Sequence, residues 1–163
     1  MKIAIDSDRN GYELKRTLIH FLREGKNKVF DLSYLDAHDG EDYPDVAFNL
    51  AKAIREKRFD RGILICGTGL GMAMCANKVQ GVFAGTCSDV YSSERLVKSN
   101  NAQIICLGAL VIGSELAKTV INAWLHSEFR DQRSLAKVKR MREIDRMTFS
   151  LSHELRSRRS RDL

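Results

Sequence analysis

Short apolar runs and longer amphipathic stretches take turns along this chain from its first residues. Lys2-Ile3-Ala4-Ile5 reads as a strand, and Tyr12 to Arg23, with Leu14, Leu18, Phe21 and Leu22 on one side, as a helix. Lys28-Val29-Phe30-Asp31-Leu32 predicts a second strand. A polar stretch from Ser33 to Asp42 leads to Pro44, the single proline, expected near the start of a helix that ends around Lys57. Gly62-Ile63-Leu64-Ile65-Cys66 is apolar without alternation, the pattern of a strand covered on both faces. After the turn Gly67 to Gly71 come a helix over about Met72–Asn77 and strands at Val82–Thr86 and Gln103–Leu107. Helices near Ser92–Lys98 and Glu115–Leu125 flank the last strand.

This alternation predicts an α/β domain over residues 1–130, built on a doubly wound, five-stranded parallel sheet. Ligands of such sheets bind beyond the carboxyl ends of the strands. Here those ends carry Asp6-Ser7-Asp8, Cys66-Gly67-Thr68, Ser88-Asp89 and Gly108. A last segment, Ser134 to Leu155, sets Val138, Met141, Ile144, Thr148, Leu151 and Leu155 on one stripe of a charged rod. The stripe needs a surface to cover it. Residues 131–156 are therefore expected to form a C-terminal helix of the same domain that packs across a dimer, with 157–163 a basic, disordered tail.

Composition narrows the class. With 163 residues, 44% hydrophobic and 29% charged, the chain can bury one core without staples. No stretch is apolar enough for a membrane span, and Met1-Lys2 leads straight into a strand, so no leader is expected. Cys66, Cys75, Cys87 and Cys106 form no CxxC pair and have no histidine at ligand spacing. Free thiols in the cytoplasm and no metal are the expectation. Eleven of the 27 Lys/Arg but only five of the 21 Asp/Glu lie from Arg130 onward, so the first 129 residues are balanced at sixteen of each. The net charge of +6 is thus a property of the C-terminal end. A basic end lacking interleaved aromatics reads as a solvated helix rather than a nucleic-acid surface.

Cys66-Gly67-Thr68-Gly69-Leu70-Gly71 carries the most chemistry. Three glycines after a buried strand and before a helix let successive N–H groups converge on an anion. No Lys-Ser/Thr follows the last glycine, which excludes a nucleoside-triphosphate loop, and no acidic ribose-binding residue follows a second strand. Cys66 enters this turn in a field that favours negative charge. An aldose–ketose isomerisation needs a base to move a proton between adjacent carbons and a cradle for the enediolate. Cys66 and the amides of Gly67, Thr68, Gly69, Leu70 and Gly71 could supply both. The plain alternative is a tight strand–helix joint with a small buried thiol, and Cys75, Cys87 and Cys106 are assigned to that role.

Gly62 to Gly71, followed by Ala76-Asn77-Lys78-Val79-Gln80-Gly81-Val82, resembles the ribose-5-phosphate isomerase B and galactose-6-phosphate isomerase family. Ser7-Asp8, Gly11-Tyr12-Glu13-Leu14-Lys15, Asp42-Tyr43-Pro44-Asp45, Gly108 and Ile112 to Lys118 extend the likeness, in order, over residues 1 to about 147. The resemblance implies a Rossmann-like protomer in a homodimer or dimer of dimers, no cofactor or metal, and sites built from two subunits. It implies Cys66 as the proton-transferring base with Thr68 as a second catalytic residue, and Gly67–Gly71 as the anion hole. Asp8, Arg9, Tyr43, Ser99 and Asn100 fall at substrate-facing positions, and Arg133 with Lys137 at the phosphate clamp. Their i, i+4 spacing puts both cations on one helical face.

Three positions depart from the family. Ser99 stands where the ribose-phosphate enzymes carry a ring-opening histidine, Arg9 replaces another histidine, and Leu110 replaces a phosphate-contacting arginine. His20, His38, His126 and His153 match none of these places and read as surface or structural residues. Arg9 is expected to restore the cation lost at Leu110 and so joins the phosphate-binding set. Losing a ring-opening acid matters little for a sugar without a ring. Ser99-Asn100-Asn101-Ala102-Gln103-Ile104-Ile105 and Arg133-Ser134 also resemble the erythrulose-4-phosphate isomerase branch. The expected substrate is therefore a tetrose 4-phosphate, with pentose or hexose phosphates as the alternative. Two other readings stand beside it: a partner subunit of a heteromeric isomerase, and a binding module that uses the basic end.

Overall fold

The computed structural model describes residues 1–25, 27–33 and 42–159, with side chains as far as Ser150. Five strands form one parallel sheet: β1 (Lys2–Ser7), β2 (Lys28–Asp31), β3 (Arg61–Cys66), β4 (Ala84–Thr86) and β5 (Ile104–Gly108), in the order β2-β1-β3-β5-β4. Six helices connect and extend them: α1 (Tyr12–Glu24), α2 (Tyr43–Arg55), α3 (Leu70–Ala76), α4 (Val90–Lys98), α5 (Ser114–Leu125) and α6 (Gln132–Arg159). His38 and residues 160–163 of the expected tail lie outside the described residues, as do the side chains of Leu151, His153 and Leu155.

Strand alternation sorts the core into two layers. Ile3, Ile5, Ile63, Ile65, Ile105 and Leu107 pack against Leu14, Leu18 and Leu22 of α1 and against α4 and α5. Ala4, Leu64, Cys66, Ile104 and Cys106 face the other way, onto α2 and α3. Because both faces are covered, the central strands read as unbroken apolar runs.

The elements end where local chemistry stops them. Asp8 accepts from the N–H groups of Asn10 and Gly11 at 2.9 and 3.1 Å, which turns β1 through a 3-10 turn (Arg9–Gly11) into α1. Pro44 lies in the first turn of α2, and Lys57, at φ 57°, ends the path out of it. α3 begins at Leu70, two residues before the expected start, so Leu70 and Gly71 of the glycine-rich turn are helical. β4 is three residues long, shorter than the apolar run Val82–Thr86 predicts, because Val82 and Phe83 belong to its approach.

Two braces set the lower edge of the sheet, where the strands begin. The guanidinium of Arg61, at the start of β3, donates to the carbonyls of Trp124 and Ser127 and stacks 4.9 Å from the Trp124 ring. Burial pulls the pKa of Arg61 below its ordinary value, with Glu128 opposing. These bonds hold the end of α5, and therefore the start of α6, beside the first residues of β3. Farther along α6, Val138 is buried and Asp145 Oδ2 accepts the Gly81 N–H at 2.8 Å. Ile144 and Met147 of the same helix stay exposed.

Candidate active site

The chain moves outward from β1 to β2, then returns past β1 to β3. The crevice between the carboxyl ends of β1 and β3 is thus the switch point of the sheet. Ser7 pairs in register with Ile65, and the Asp8 N–H donates to the Ile65 carbonyl at 3.2 Å, so Asp8 and Cys66 leave neighbouring strands side by side. Cys66 is 5% exposed, and its Sγ accepts the Gly69 N–H at 3.1 Å. A charged acceptor strengthens such a bond.

The turn is shaped by two close approaches. Gly69 sits at φ 78°, and a Cβ there would lie 2.9 Å from the Leu107 carbonyl carbon and from Thr86 Cγ2. Thr86 Oγ1 in turn donates to the Gly69 carbonyl at 3.0 Å. Gly71 lies flat against the Tyr43 ring, whose Cε2 would be 2.5 Å from a Cβ. Tyr43, at the start of α2, therefore roofs the turn. The N–H of Leu70 reaches Thr68 Oγ1 at 3.4 Å. The N–H groups of Gly67 and Thr68 find no acceptor among the described residues. The exit of β5 braces the same turn, through Ala109 N–H to the Cys66 carbonyl at 2.8 Å and Leu110 N–H to the Gly67 carbonyl at 3.0 Å. Leu110 itself is 79% exposed, with its Cδ1 over Gly67. Arg9 is exposed and faces Asp42 at 3.9 Å.

One polar cluster beside the crevice carries no expectation from sequence reading. Lys15, 1% exposed, donates to Asp31 Oδ1 at 2.9 Å and to Ser33 Oγ at 2.7 Å, and lies 4.0 Å from Asp6 Oδ1. Ser33 Oγ bonds to Asp6, and the Ser7 N–H donates to Asp6 Oδ1 at 2.8 Å. Burial pushes the Asp6 carboxyl above its ordinary pKa, against those hydrogen bonds and the pull of Lys15. The signal was present: Lys15, Leu18 and Leu22 stand at i, i+3 and i+7, so the lysine lies on the buried stripe of α1. Asn10 was also missed; its side chain lies beside Gly67.

The structure brings Asp8, Arg9, Tyr43, Cys66 and the turn through Gly71 to the upper edge. It does not bring Ser99, Asn100, Arg133 or Lys137 there within one chain. α4 and α5 run down the sheet, so Ser99 and Asn100 precede β5, and Arg133 follows the α5 end that Arg61 grips. Five strand steps separate Arg61 from Cys66, roughly 16 Å. At the lower edge a cleft of about 550 Å³ is lined by Arg95, Lys98, Arg130 and Arg133, with Glu128 and Asp131 among them. Asp131 caps α6 by accepting from the Arg133 N–H at 3.0 Å, and that bond above all holds its carboxyl below the ordinary range.

The other thiols are buried or remote. Burial, with help from Asp89, pushes the Cys87 pKa up to about 11, and burial lifts Cys106 well above its ordinary value. Among the described residues no group of His, Cys, Asp and Glu is placed to hold a metal ion, and no helix is long and apolar enough to cross a membrane.

Comparison with known proteins places this architecture. Residues 3–141 match the Ribose/Galactose Isomerase family. The chain is 48% identical over 141 residues to D-erythrulose-4-phosphate isomerase of Pectobacterium atrosepticum, covering 86% of this chain and 93% of that one. It is also 48% identical over 145 residues to ribose-5-P isomerase B of Listeria innocua, covering 89% and 97%. Ribose-5-phosphate isomerase B of Clostridium thermocellum superposes with a TM-score of 0.86 at 38% identity, over 91% of this chain and 99% of that one. With a family match across nearly its whole α/β domain, the chain belongs to the Ribose/Galactose Isomerase family.

Proposed function

We propose that this chain is an aldose–ketose isomerase of a small sugar phosphate, with a four-carbon 4-phosphate such as erythrulose 4-phosphate as its substrate. One observation carries the reaction type: a cysteine at the sheet's switch point whose sulfur accepts a turn N–H, beside two amides with no acceptor among the described residues. Cys66 as thiolate takes the proton from C1 of the ketose. The electron pair moves into a C1–C2 double bond, and charge collects on the C2 oxygen as an enediolate. The amides of Gly67, Thr68 and their neighbours hold that oxygen. Cys66 then returns the proton to C2 while the C1 hydroxyl proton passes to the C2 oxygen, so the carbonyl re-forms at C1 with a hydroxyl at C2 to give the aldose. Asp8 and Tyr43 flank the crevice and orient the hydroxyls, and Thr68 adds a hydroxyl at its mouth.

The choice of sugar rests on Ser99, Arg9 and Leu110, because the two relatives at 48% identity bear names of different sugars. A tetrose 4-phosphate cannot close a furanose, since the hydroxyl required is esterified, so it needs no ring-opening acid at Ser99. Ser99, Asn100, Arg133 and Lys137 reach substrate from a second copy of the chain, in a homodimer or dimer of dimers. Leu70, Met74, Tyr91, Leu110 and Val111 are all exposed around the upper edge, an apolar collar suited to such a partner. The reaction itself uses no metal or cofactor, and the chain acts in the cytoplasm.

The test is solvent deuterium uptake into erythrulose 4-phosphate, ribose 5-phosphate and a hexose 6-phosphate, run with wild type and Cys66→Ala. Exchange by the wild type alone, fastest into the four-carbon sugar, is expected. A Cys66→Ala protein that still exchanges removes the assigned base, and preference for ribose 5-phosphate removes the acyclic substrate. Activity that appears only on mixing with a homologous chain would instead favour the partner-subunit reading.

A further inference from the structure

We propose that Arg95 is a phosphate-binding residue, holding the phosphoryl group of the substrate with Arg133 in the cleft between the ends of α4 and α5 and the start of α6. The cleft carries four permanent cations against two carboxylates. Three of those cations are already engaged: Lys98 by Glu94 at 2.9 Å, Arg130 by Glu128, and Arg133 by Asp131 at 3.3 Å. Among the described residues Arg95 makes no ion pair and its buried Nε–H has no acceptor. Its guanidinium lies 5.7 Å from the Tyr91 ring centroid, one turn back on the same helix.

A buried donor left unmatched is costly, and the guanidinium fork matches the geometry of phosphoryl oxygens. The Arg130 and Arg133 pairs are contacts between near neighbours in sequence, and both guanidinium groups are largely exposed. Such pairs contribute little, so a phosphate dianion can displace them. Arg95 also lies one turn before Ser99, whose N–H donates to the Arg95 carbonyl at 2.9 Å, so both sit on one side of α4. This placement supplies a cation to the phosphate end in a chain that has leucine at position 110. The identity of the ligand rests on the isomerase reading; the anion site itself does not.

The experiment titrates inorganic phosphate by calorimetry into wild type, Arg95→Gln and Arg95→Lys, and measures kcat and KM for erythrulose 4-phosphate beside it. Arg95→Gln is expected to weaken phosphate binding about tenfold and raise KM by the same factor, as loss of one charged hydrogen bond predicts, while kcat stays within about twofold. Arg95→Lys, which keeps the charge and the stem, recovers part of the affinity even if the Gln protein folds poorly. Equal phosphate affinity in wild type and both variants overturns the assignment. So does a KM that rises only in step with a lower melting temperature. If the wild type turns over no sugar phosphate, the isomerase reading falls and the phosphate titration still decides Arg95.

Discussion

Lys15→Met tests whether the buried cluster under the crevice is held by charge. The methionine keeps most of the lysine's volume, so the cavity contribution is small, and the perturbation is loss of the ammonium. Removing one partner of a buried pair costs about 3–5 kcal/mol, because the other charge is left desolvated. Here two carboxylates lose their cation, and they differ. The Asp31 side chain is 35% exposed and can rehydrate, whereas Asp6 is 8% exposed and cannot. The cost therefore comes mainly from Asp6 and belongs at the lower end, about 3 kcal/mol near pH 8. With an m-value of about 2 kcal/mol/M, the urea midpoint falls by about 1.5 M at fixed protein concentration. The pH dependence has a definite sign. Asp6 already has a raised pKa in the folded state, so it binds its proton more readily folded than unfolded. Its contribution is fully favourable below the unfolded value of 3.8 and is lost as pH rises through the folded value. Without Lys15 that folded value moves higher, so the penalty of the variant shrinks as the buffer is acidified from pH 8 to pH 5. Urea unfolding at both pH values reads the effect. A loss under about 1 kcal/mol, or one of equal size at both pH values, would refute the electrostatic account.

Three further outcomes are expected. Gly69→Ala places a Cβ at φ 78° against the Leu107 carbonyl carbon, so the melting temperature falls by the equivalent of about 1–2 kcal/mol and exchange activity drops with it; an unchanged melting curve would contradict the close approach. Cys87 and Cys106, kept as thiols by burial, should resist alkylation at pH 8 until the protein is unfolded, and mass spectrometry after brief labelling reads this directly. Ser99→His returns an acid to the end of α4, so kcat/KM for ribose 5-phosphate should rise about tenfold relative to erythrulose 4-phosphate; no change in that ratio speaks against ring opening as the discriminating step.

Much of this was legible in order along the chain. The strand and helix periods, the arrest of β3 at Cys66 and the three glycines of the turn are local patterns, and local sterics and burial decide them. Boundaries differed for two reasons: Leu70 and Gly71 joined α3 locally, whereas β1 ran on to Ser7 because Asp6 and Ser7 pair with Leu64 and Ile65 of β3. Lys15 was visible as a charge on an apolar stripe, but its partners Asp31 and Ser33 lie sixteen and eighteen residues away. Local spacing does not encode such a meeting.

By itself the sequence determined the alternation of elements, the glycine-rich turn and the family. The order β2-β1-β3-β5-β4 was decided only by tertiary pairing, because strands choose neighbours through contacts between distant segments. That order sets Asp8 beside Cys66, while the parallel run of the strands leaves Asn100 and Arg133 at the opposite edge. Within one chain the turn at Cys66 therefore stands apart from Ser99, Asn100, Arg133 and Lys137, a separation set by the path of the folded chain rather than by any local stretch of sequence.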